Sequence, residues 1–169
     1  KIVSVIIKKE GKRQVISGDY YISSIPLSDL VKRLRPAIDN KTMMLADKLS
    51  YRDELQVALF IRKNHVTPDT WIYVHPKEIP YMRIMEMDNW SDKLSPPGTT
   101  SLVFEIACNV GDKTWKMKDQ EVIEMVADSY ISEFGLIKTE DIIGGYVHRV
   151  AKEYPVYQCL RGKINRAYL

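Results

Sequence analysis

The chain has 169 residues, 45% hydrophobic and 28% charged, with a net charge of +3. These values indicate a globular domain with an ordinary core and argue against a disordered chain. No apolar run reaches the length of a membrane span and no segment resembles a secretion signal, so we expect no membrane span and a cytoplasmic location. Basic residues are spread along the sequence rather than gathered in one patch, which argues against nucleic-acid binding.

The first residues predict short strands. Branched residues from 1 to 7, a turn at 10–12 and a returning segment at 14–17 are typical of a hairpin. Tyr20–Ile25 is rich in aromatic and branched residues, which predicts a further strand ended by Pro26. The chain opens at Lys1 directly into this strand pattern. We therefore expect it to be a piece of a longer protein.

Two short helices and an alternating strand follow. Leucine and valine spacing predicts a helix over 27–34, capped by Ser28 and stopped by Pro36. A second short helix is predicted near 41–46. Large aliphatic residues at every second position from 55 to 61 predict a strand with one clearly apolar face.

The rest of the sequence combines strands with one long helix. Strand patterns occupy 71–74, 83–87, 101–109 and 142–150, and residues 154–157 read as extended. Apolar positions three and four apart predict a helix over 119–134, followed by Gly135 as the residue just past its end. A short helix is also predicted in the tail from 160 to 169. Several strands precede the long helix, so we predict an α+β fold with a mostly antiparallel mixed sheet.

The usual signatures of catalysis are missing from the sequence. None of the eight glycines forms a phosphate-binding GxGxxG or P-loop motif, and the Gly144-Gly145 pair is more typical of a bulge or turn. The three histidines and the cysteines Cys108 and Cys159 lack metal-ligand spacing, so we predict no metal site. We assign no catalytic residue. Glu86 and Glu105 lie in apolar strand patterns, and each is expected either on the solvent face or paired with a cation such as Arg83 or Arg149.

Aromatic and cationic residues alternate along the middle strands. Trp71 and Tyr73 are two residues apart and therefore share a sheet face, and Arg83 begins the next strand. Such an arrangement can line a pocket for a planar or anionic ligand. An ordinary sheet with aromatic core and edge residues explains the pattern about as well.

Five segments, in order, resemble a known family of flavoproteins. The first is GDYYISSIPL at 18–27, and the others are TWIYVH at 70–75, RIMEMDNWS at 83–91, SLVFE with GDKTW at 101–105 and 111–115, and RVAKEYPVY at 149–157. They are similar to motifs of FAD-dependent amine oxidase-like flavoproteins, which include protoporphyrinogen oxidases, phytoene desaturases and UDP-galactopyranose mutases. The resemblance covers nearly the whole chain. It implies an internal region of such a protein, with the glycine-rich FAD loop before Lys1.

The resemblance also implies domains and roles. Residues 1–26 would end the nucleotide-binding domain, and 27–169 would form the substrate-binding domain, with Pro26 at the crossing point near the cofactor. Arg83 would face an anionic or electron-rich substrate group, as a guanidinium suits planar contacts. Trp71, Tyr73 and Tyr154 would line the same pocket.

The resulting hypothesis is a substrate-binding domain of a FAD-dependent oxidoreductase or UDP-galactopyranose mutase-related enzyme, not catalytic by itself. FAD would belong to the parent protein, with none bound by this piece, because in such enzymes the flavin carries the chemistry. Its partners would be a small-molecule substrate and the missing flavin-binding domain, and its uncovered apolar surface would favour self-association. The alternative is a non-catalytic α+β binding or protein-interaction module.

Overall fold

The computed structural model of the chain describes residues 2–156. The chain divides between Lys48 and Leu49 into two compact units. The first unit contains β1 (Val5–Lys9), β2 (Lys12–Ile16), α1 (Leu27–Arg33) and α2 (Asn40–Lys48). The second contains β3 (Ser50–Ile61), β4 (Trp71–Tyr73), β5 (Arg83–Glu86), β6 (Thr100–Cys108), α3 (Lys113–Lys116), α4 (Asp119–Phe134) and β7 (Ile142–Val156). Single 3-10 turns lie at Met87–Asn89 and Thr139–Asp141.

The observed boundary places α1 and α2 in the same unit as the hairpin. The division into a nucleotide-binding part (1–26) and a substrate-binding part (27–169) stays a prediction. The helix expected over 160–169 lies outside the described residues. Over residues 2–156, no helix combines the length and apolar character needed to cross a bilayer.

The first unit contains the predicted hairpin and both predicted short helices. β1 and β2 pair antiparallel from Val5↔Ile16 to Lys9↔Lys12. The two-residue turn between them, Glu10 and Gly11, has positive φ at both positions, the geometry that matches the twist of paired strands. Pro26 rather than Ser28 is the residue before α1, and no side chain caps that helix. The expectation of a Ser28 cap is therefore wrong.

The strand expected at Tyr20–Ile25 is not formed. Strand preference of aromatic and branched residues reflects packing against neighbouring strands. Among the described residues of the first unit, only β1 and β2 pair with each other, and Tyr20 and Ile22 are almost fully exposed. Tyr21 holds this segment to the start of the chain instead, because its hydroxyl donates to the Val3 carbonyl and accepts from the Gly18 amide.

The second unit is built on a five-stranded antiparallel sheet, which confirms the α+β prediction. The strand order is β4-β5-β6-β3-β7, with β3 in the interior. β3 pairs with β6 from Asp53↔Cys108 to Ile61↔Thr100, and with β7 on its other side. The strand predicted over 142–150 runs on to Val156 because β3 supplies a partner along that length.

Helix α4 covers one face of this sheet, at the bounds that the sequence predicts. Alternate residues of β3 and β6 point toward it and are fully buried; they include Leu55, Val57, Leu59, Leu102 and Phe104. Phe104 links sheet to helix, since its ring lies 5.3 Å from that of Tyr130 in an edge-on contact. Burying such side chains is worth about 1.5–3 kcal/mol each, so this layer supplies most of the unit's stability.

Two glycines fit the helix to the sheet. Gly135 ends α4 in the left-handed conformation with φ of 63°, as the sequence predicts. Gly145 lies in β7, where a Cβ atom would be 3.1 Å from the Ala58 carbonyl oxygen and 3.0 Å from Ile123 of α4. The missing side chain of Gly145 therefore gives the helix room to approach. The Gly144-Gly145 pair also lies beside a register shift in the pairing of β7 with β3.

Glu86 has a structural role different from the expected solvent-face position or ion pair with an arginine. Its carboxylate is buried and accepts hydrogen bonds from the backbone N–H groups of Val66 and Thr67, both at 2.7 Å. The Thr100 hydroxyl donates a third, at 3.2 Å. Glu86 therefore holds the loop between β3 and β4 against the sheet, and the prediction of a solvent-face position or an arginine partner is wrong for this residue.

Glu86→Gln tests that role. An amide keeps the size but presents an NH₂ group to one of the two backbone donors, so one buried N–H loses its acceptor. We expect the free energy of unfolding to fall by about 2 kcal/mol, measured by urea unfolding followed by tryptophan fluorescence. Glu78→Gln, the same change at an exposed site, is the control. An effect equal to that of the control would contradict the assignment.

Candidate functional site

The sheet face opposite α4 carries polar and aromatic side chains. One row of cross-strand partners runs Tyr73, Arg83, Glu105, Gln56 and His148, contributed by all five strands. Period-two alternation puts these residues on this face because Leu55, Val57 and Phe104 occupy the other. Glu105 is buried even so, with 4% of its surface exposed.

Arg83 is the residue of this row around which the site is built. Its guanidinium forms an ion pair with Glu105 and donates a hydrogen bond to the Tyr154 hydroxyl. Its Cζ lies 4.9 Å from the centre of the Trp71 ring and 5.3 Å from that of Tyr154. A cation within about 6 Å of an aromatic ring is attracted by the ring's electrons. The expected pairing of Glu105 with Arg83 is confirmed, and the guanidinium is fixed on two sides by rings.

A bulge in β7 brings Tyr154 to Arg83. Glu54 pairs with Val150, but Arg52 pairs with Tyr154, so β7 contains two more residues than β3 over this interval. In unbroken pairing Tyr154 would lie two residues, or about 7 Å, further along the sheet. Lys152 in the bulge has φ of 60°, and its amide donates to Asp53 Oδ1 at 2.7 Å.

Asp53 also fixes the other side of this end of the sheet. Its Oδ2 accepts a hydrogen bond at 2.6 Å from the amide of Val110, two residues past the end of β6. One carboxylate thus ties β7 and the end of β6 to β3. The position of Tyr154 beside Arg83 follows from this tie and from the bulge.

A cavity of about 300 Å³ opens beside Arg83. Its walls come from all five strands and the residue before β5: Arg52, Asp53, Glu54, Tyr73, Met82, Arg83, Ala107 and Tyr154. The volume is at the lower end of small-molecule pockets. The side chains combine two aromatic rings with two guanidinium and two carboxyl groups, which suits a small ligand with an apolar body and one polar end.

Glu54 is one of five residues of this cavity that the sequence prediction missed, with Arg52, Asp53, Met82 and Ala107. The Glu54 carboxyl is buried with 1% exposure, and Oε2 has no hydrogen-bond partner among residues 2–156. Oε1 accepts from the Gln56 amide at 3.2 Å. Burial, reinforced by the negative charge of Glu105, raises the pKa of Glu54 from 4.5 to about 7. Alternation along β3 places Glu54 on this face, but the sequence holds no signal of its burial.

The other aromatic residues form the flank of this face. Trp71 lies 6.1 Å from Tyr73 and 6.2 Å from Trp90, measured between ring centres. The expected shared face of Trp71 and Tyr73 is confirmed. Asn89 donates to the carbonyls of Thr67 and Asp69, and the Trp90 indole donates to that of Thr70. The Asn89-Trp90 pair therefore shapes the loop before β4.

The four predicted substrate residues, Arg83, Tyr73, Trp71 and Tyr154, are brought together by the sheet. Arg83, Tyr73 and Tyr154 line the cavity. Trp71 lies beside them, and its ring contacts the Arg83 guanidinium. Pro26, the predicted cofactor neighbour, lies in the first unit before α1. The second predicted cation, Arg149, serves structure, since it donates to the Trp115 and Met117 carbonyls and pairs with Asp119.

The remaining reactive residues do not join the site. Cys108 is buried, and burial raises the pKa of its thiol, so it is an inert core residue. No group of three histidine, cysteine or acidic residues within 2–156 could hold a metal ion. Cys159 lies outside the described residues.

Solved structures show the same fold within larger proteins. A UDP-galactopyranose mutase matches with a TM-score of 0.62 and 23% identity over 89% of this chain and 32% of its own. A protein from Exiguobacterium sp. 255-15, named a putative protoporphyrinogen oxidase, matches with a TM-score of 0.58 and 17% identity over 90% of this chain and 34% of its own. A protein from Pyrococcus furiosus gives 0.53 and 15% over 85% and 34%.

The chain thus spans about a third of each solved structure that it matches. No protein-family model matches it, and no curated protein is significantly similar. At these identities the likeness shows the fold alone.

Proposed function

We propose that the second unit is the substrate-binding part of a FAD-dependent oxidoreductase or mutase, with Arg83 as the residue that orients the substrate. The observation that carries the proposal is Arg83 itself. It is held between two aromatic rings and an acidic partner, at the edge of a cavity, in a fold that a mutase and an oxidase share.

The contacts of Arg83 favour one kind of substrate group in this proposal. Glu105 already balances its charge, so a full negative charge gains little here. Nη1 makes no hydrogen bond to any residue within 2–156 and is the donor left for a ligand. An electron-rich oxygen fits this guanidinium better than an anion, because only a hydrogen bond remains to be formed.

FAD itself is not held by these residues. A phosphate cradle needs a glycine-rich turn before a helix, and the sequence contains none. In the proposal another domain holds the flavin, which supplies the redox or nucleophilic chemistry, while this chain binds and orients the substrate. That domain is the main proposed partner. Exposed apolar residues in the first unit, including Val3, Ile6, Val15 and Ile22, support covering by a partner or self-association.

The reading frame around Lys1 and the parent protein provide the test. We expect a strand–GxGxxG–helix unit upstream, a parent protein that purifies with a flavin spectrum, and turnover of either a hydride acceptor or a UDP-sugar. The isolated chain should be colourless after it has been mixed with FAD and the unbound FAD has been removed. Arg83→Lys in the parent should reduce kcat/KM by tenfold or more while the flavin content stays unchanged.

Three results would overturn the proposal. They are an initiator methionine directly before Lys1 with no nucleotide-binding unit, a parent protein without flavin, or an Arg83→Lys variant with unchanged kcat/KM. The first would favour the alternative, a non-catalytic α+β binding module.

A further inference from the structure

One residue that lines the cavity beside Arg83 carries a buried polar atom without a hydrogen-bond partner. Glu54 Oε2 is buried and has no partner within 2–156, while Oε1 is occupied by the Gln56 amide. An unsatisfied buried carboxyl oxygen costs roughly 1–3 kcal/mol. Such an atom in a cavity wall therefore points to a ligand or water that completes it.

The neighbours of Glu54 decide whether its carboxyl group is protonated or charged when it meets that ligand. On its own strand it has Arg52 and Asp53; Tyr73 comes from β4, Arg83 from β5, Glu105 from β6, and Glu153 and Tyr154 from β7. Asp53 is bound to two backbone amides, and Glu105 and Tyr154 are bound to Arg83. The Arg83 guanidinium is thus engaged by Glu105, the second arginine of the cavity wall, Arg52, is exposed, and within residues 2–156 Glu54 forms no ion pair.

A buried carboxyl without a cation keeps its proton more readily, because the charged form is poorly solvated. Since Oε1 accepts from Gln56, the proton belongs on Oε2, the atom without a partner. A protonated Oε2 is a hydrogen-bond donor and requires an acceptor. The same poor solvation penalises an anion beside Glu105, so a neutral acceptor is favoured.

We propose that Glu54 is the hydrogen-bond donor of this cavity and that its ligand presents a neutral carbonyl or hydroxyl oxygen at Oε2. The ligand's body would be a small apolar or aromatic group lying against Tyr73, Met82 and Tyr154. The inference rests on the proposed function in one respect, which is that both take this cavity as the ligand site. It requires no flavin and is tested on the chain alone.

Direct binding of small probes tests the donor. Acetophenone supplies a carbonyl, benzyl alcohol a hydroxyl and benzoate an anion on the same ring, each titrated into the ¹⁵N-labelled chain and followed by amide shifts. We expect acetophenone and benzyl alcohol to bind at pH 6 and to weaken about tenfold at pH 8, as Glu54 loses its proton around pH 7. Benzoate should bind at least tenfold more weakly than acetophenone at pH 8.

Two substitutions separate hydrogen bonding from shape. Glu54→Gln keeps a donor that does not titrate, so acetophenone should bind equally at both pH values. Glu54→Met fills similar space without a donor and should weaken binding about tenfold at pH 6. Glu78→Gln, on an exposed loop, should behave as the unmodified chain.

The proposal is overturned if neither neutral probe shifts cavity amides up to its solubility. It is also overturned if binding does not change between pH 6 and pH 8, or if Glu54→Met binds as well as the unmodified chain. A ¹³C titration of the Glu54 carboxyl, assigned through Glu54→Gln, gives a second readout: a midpoint near 4.5 would equally overturn it. A failed flavin test on the parent protein would leave these outcomes unaffected.

Discussion

Replacing Arg83 by methionine should lower the free energy of unfolding by about 3–5 kcal/mol. Methionine fills similar space along the stem but leaves the Glu105 carboxylate buried without its cation. The Tyr154 hydroxyl loses its donor at the same time, and two ring contacts disappear. Removing one partner of a buried ion pair costs more than the pair contributes, because the remaining charge stays out of water.

Urea unfolding measures this loss. All three tryptophans, Trp71, Trp90 and Trp115, lie in the second unit, so their fluorescence reports on the unit that holds Arg83. Arg62→Met removes an exposed arginine from the end of β3 and should change stability by no more than about 0.5 kcal/mol. In the double variant Arg83→Met with Glu105→Met, most of the loss should return, because no unpaired charge remains.

A double variant as unstable as Arg83→Met would show that packing of the guanidinium, and not the buried charge, dominates. An Arg83→Met variant no less stable than Arg62→Met would contradict the ion pair as a structural element of this face.

The second large effect is a loss of stability as pH rises, caused by Glu54. Its pKa is raised by burial from 4.5 to about 7 in the folded chain. Between those two values the folded state therefore holds a proton that the unfolded state has released. The stability that Glu54 contributes is complete below pH 4.5 and is lost as pH rises through 7. Integrated over this window, the difference is about 3 kcal/mol.

Glu54→Gln removes this dependence. Between pH 5 and pH 8 the unmodified chain should lose about 2–3 kcal/mol relative to Glu54→Gln, which has no proton to release. At pH 8 the glutamine variant should therefore be the more stable protein. Glu78→Gln, with the same change of charge on an exposed loop, should follow the unmodified chain. If the free energies of unfolding of Glu54→Gln and of the unmodified chain changed with pH in parallel, Glu54 would titrate in its ordinary range, which would contradict the prediction.

The sequence predicts best those elements whose own apolar spacing shows which face will pack against the rest of the unit. Helix α4 begins and ends where its apolar spacing and Gly135 place it, because one face of period 3.6 needs only a flat apolar surface to cover. β3 shows the same logic with period two, since its alternation defines a buried and an open face before any neighbour is known.

The errors occur where a partner decides the outcome. Tyr20–Ile25 has the composition of a strand but gains no strand neighbour, so its backbone stays outside any sheet. Glu86 was expected on the solvent face or beside an arginine, yet two amides of a loop nineteen and twenty residues earlier in the chain bind its carboxylate. Composition around a residue does not reveal which distant backbone groups will need an acceptor.

The sequence by itself determined the α+β class, the long helix and the shared face of Trp71 and Tyr73, since periodicity within one element assigns its residues to faces. Only the tertiary structure decided that Arg83 is held between Trp71 and Tyr154, because that contact depends on strand order and on a two-residue bulge in β7. It also decided that Glu54 is buried beside Glu105 rather than solvated. The physical reason is that desolvation and charge pairing arise between strands far apart in the chain, and no local pattern encodes them.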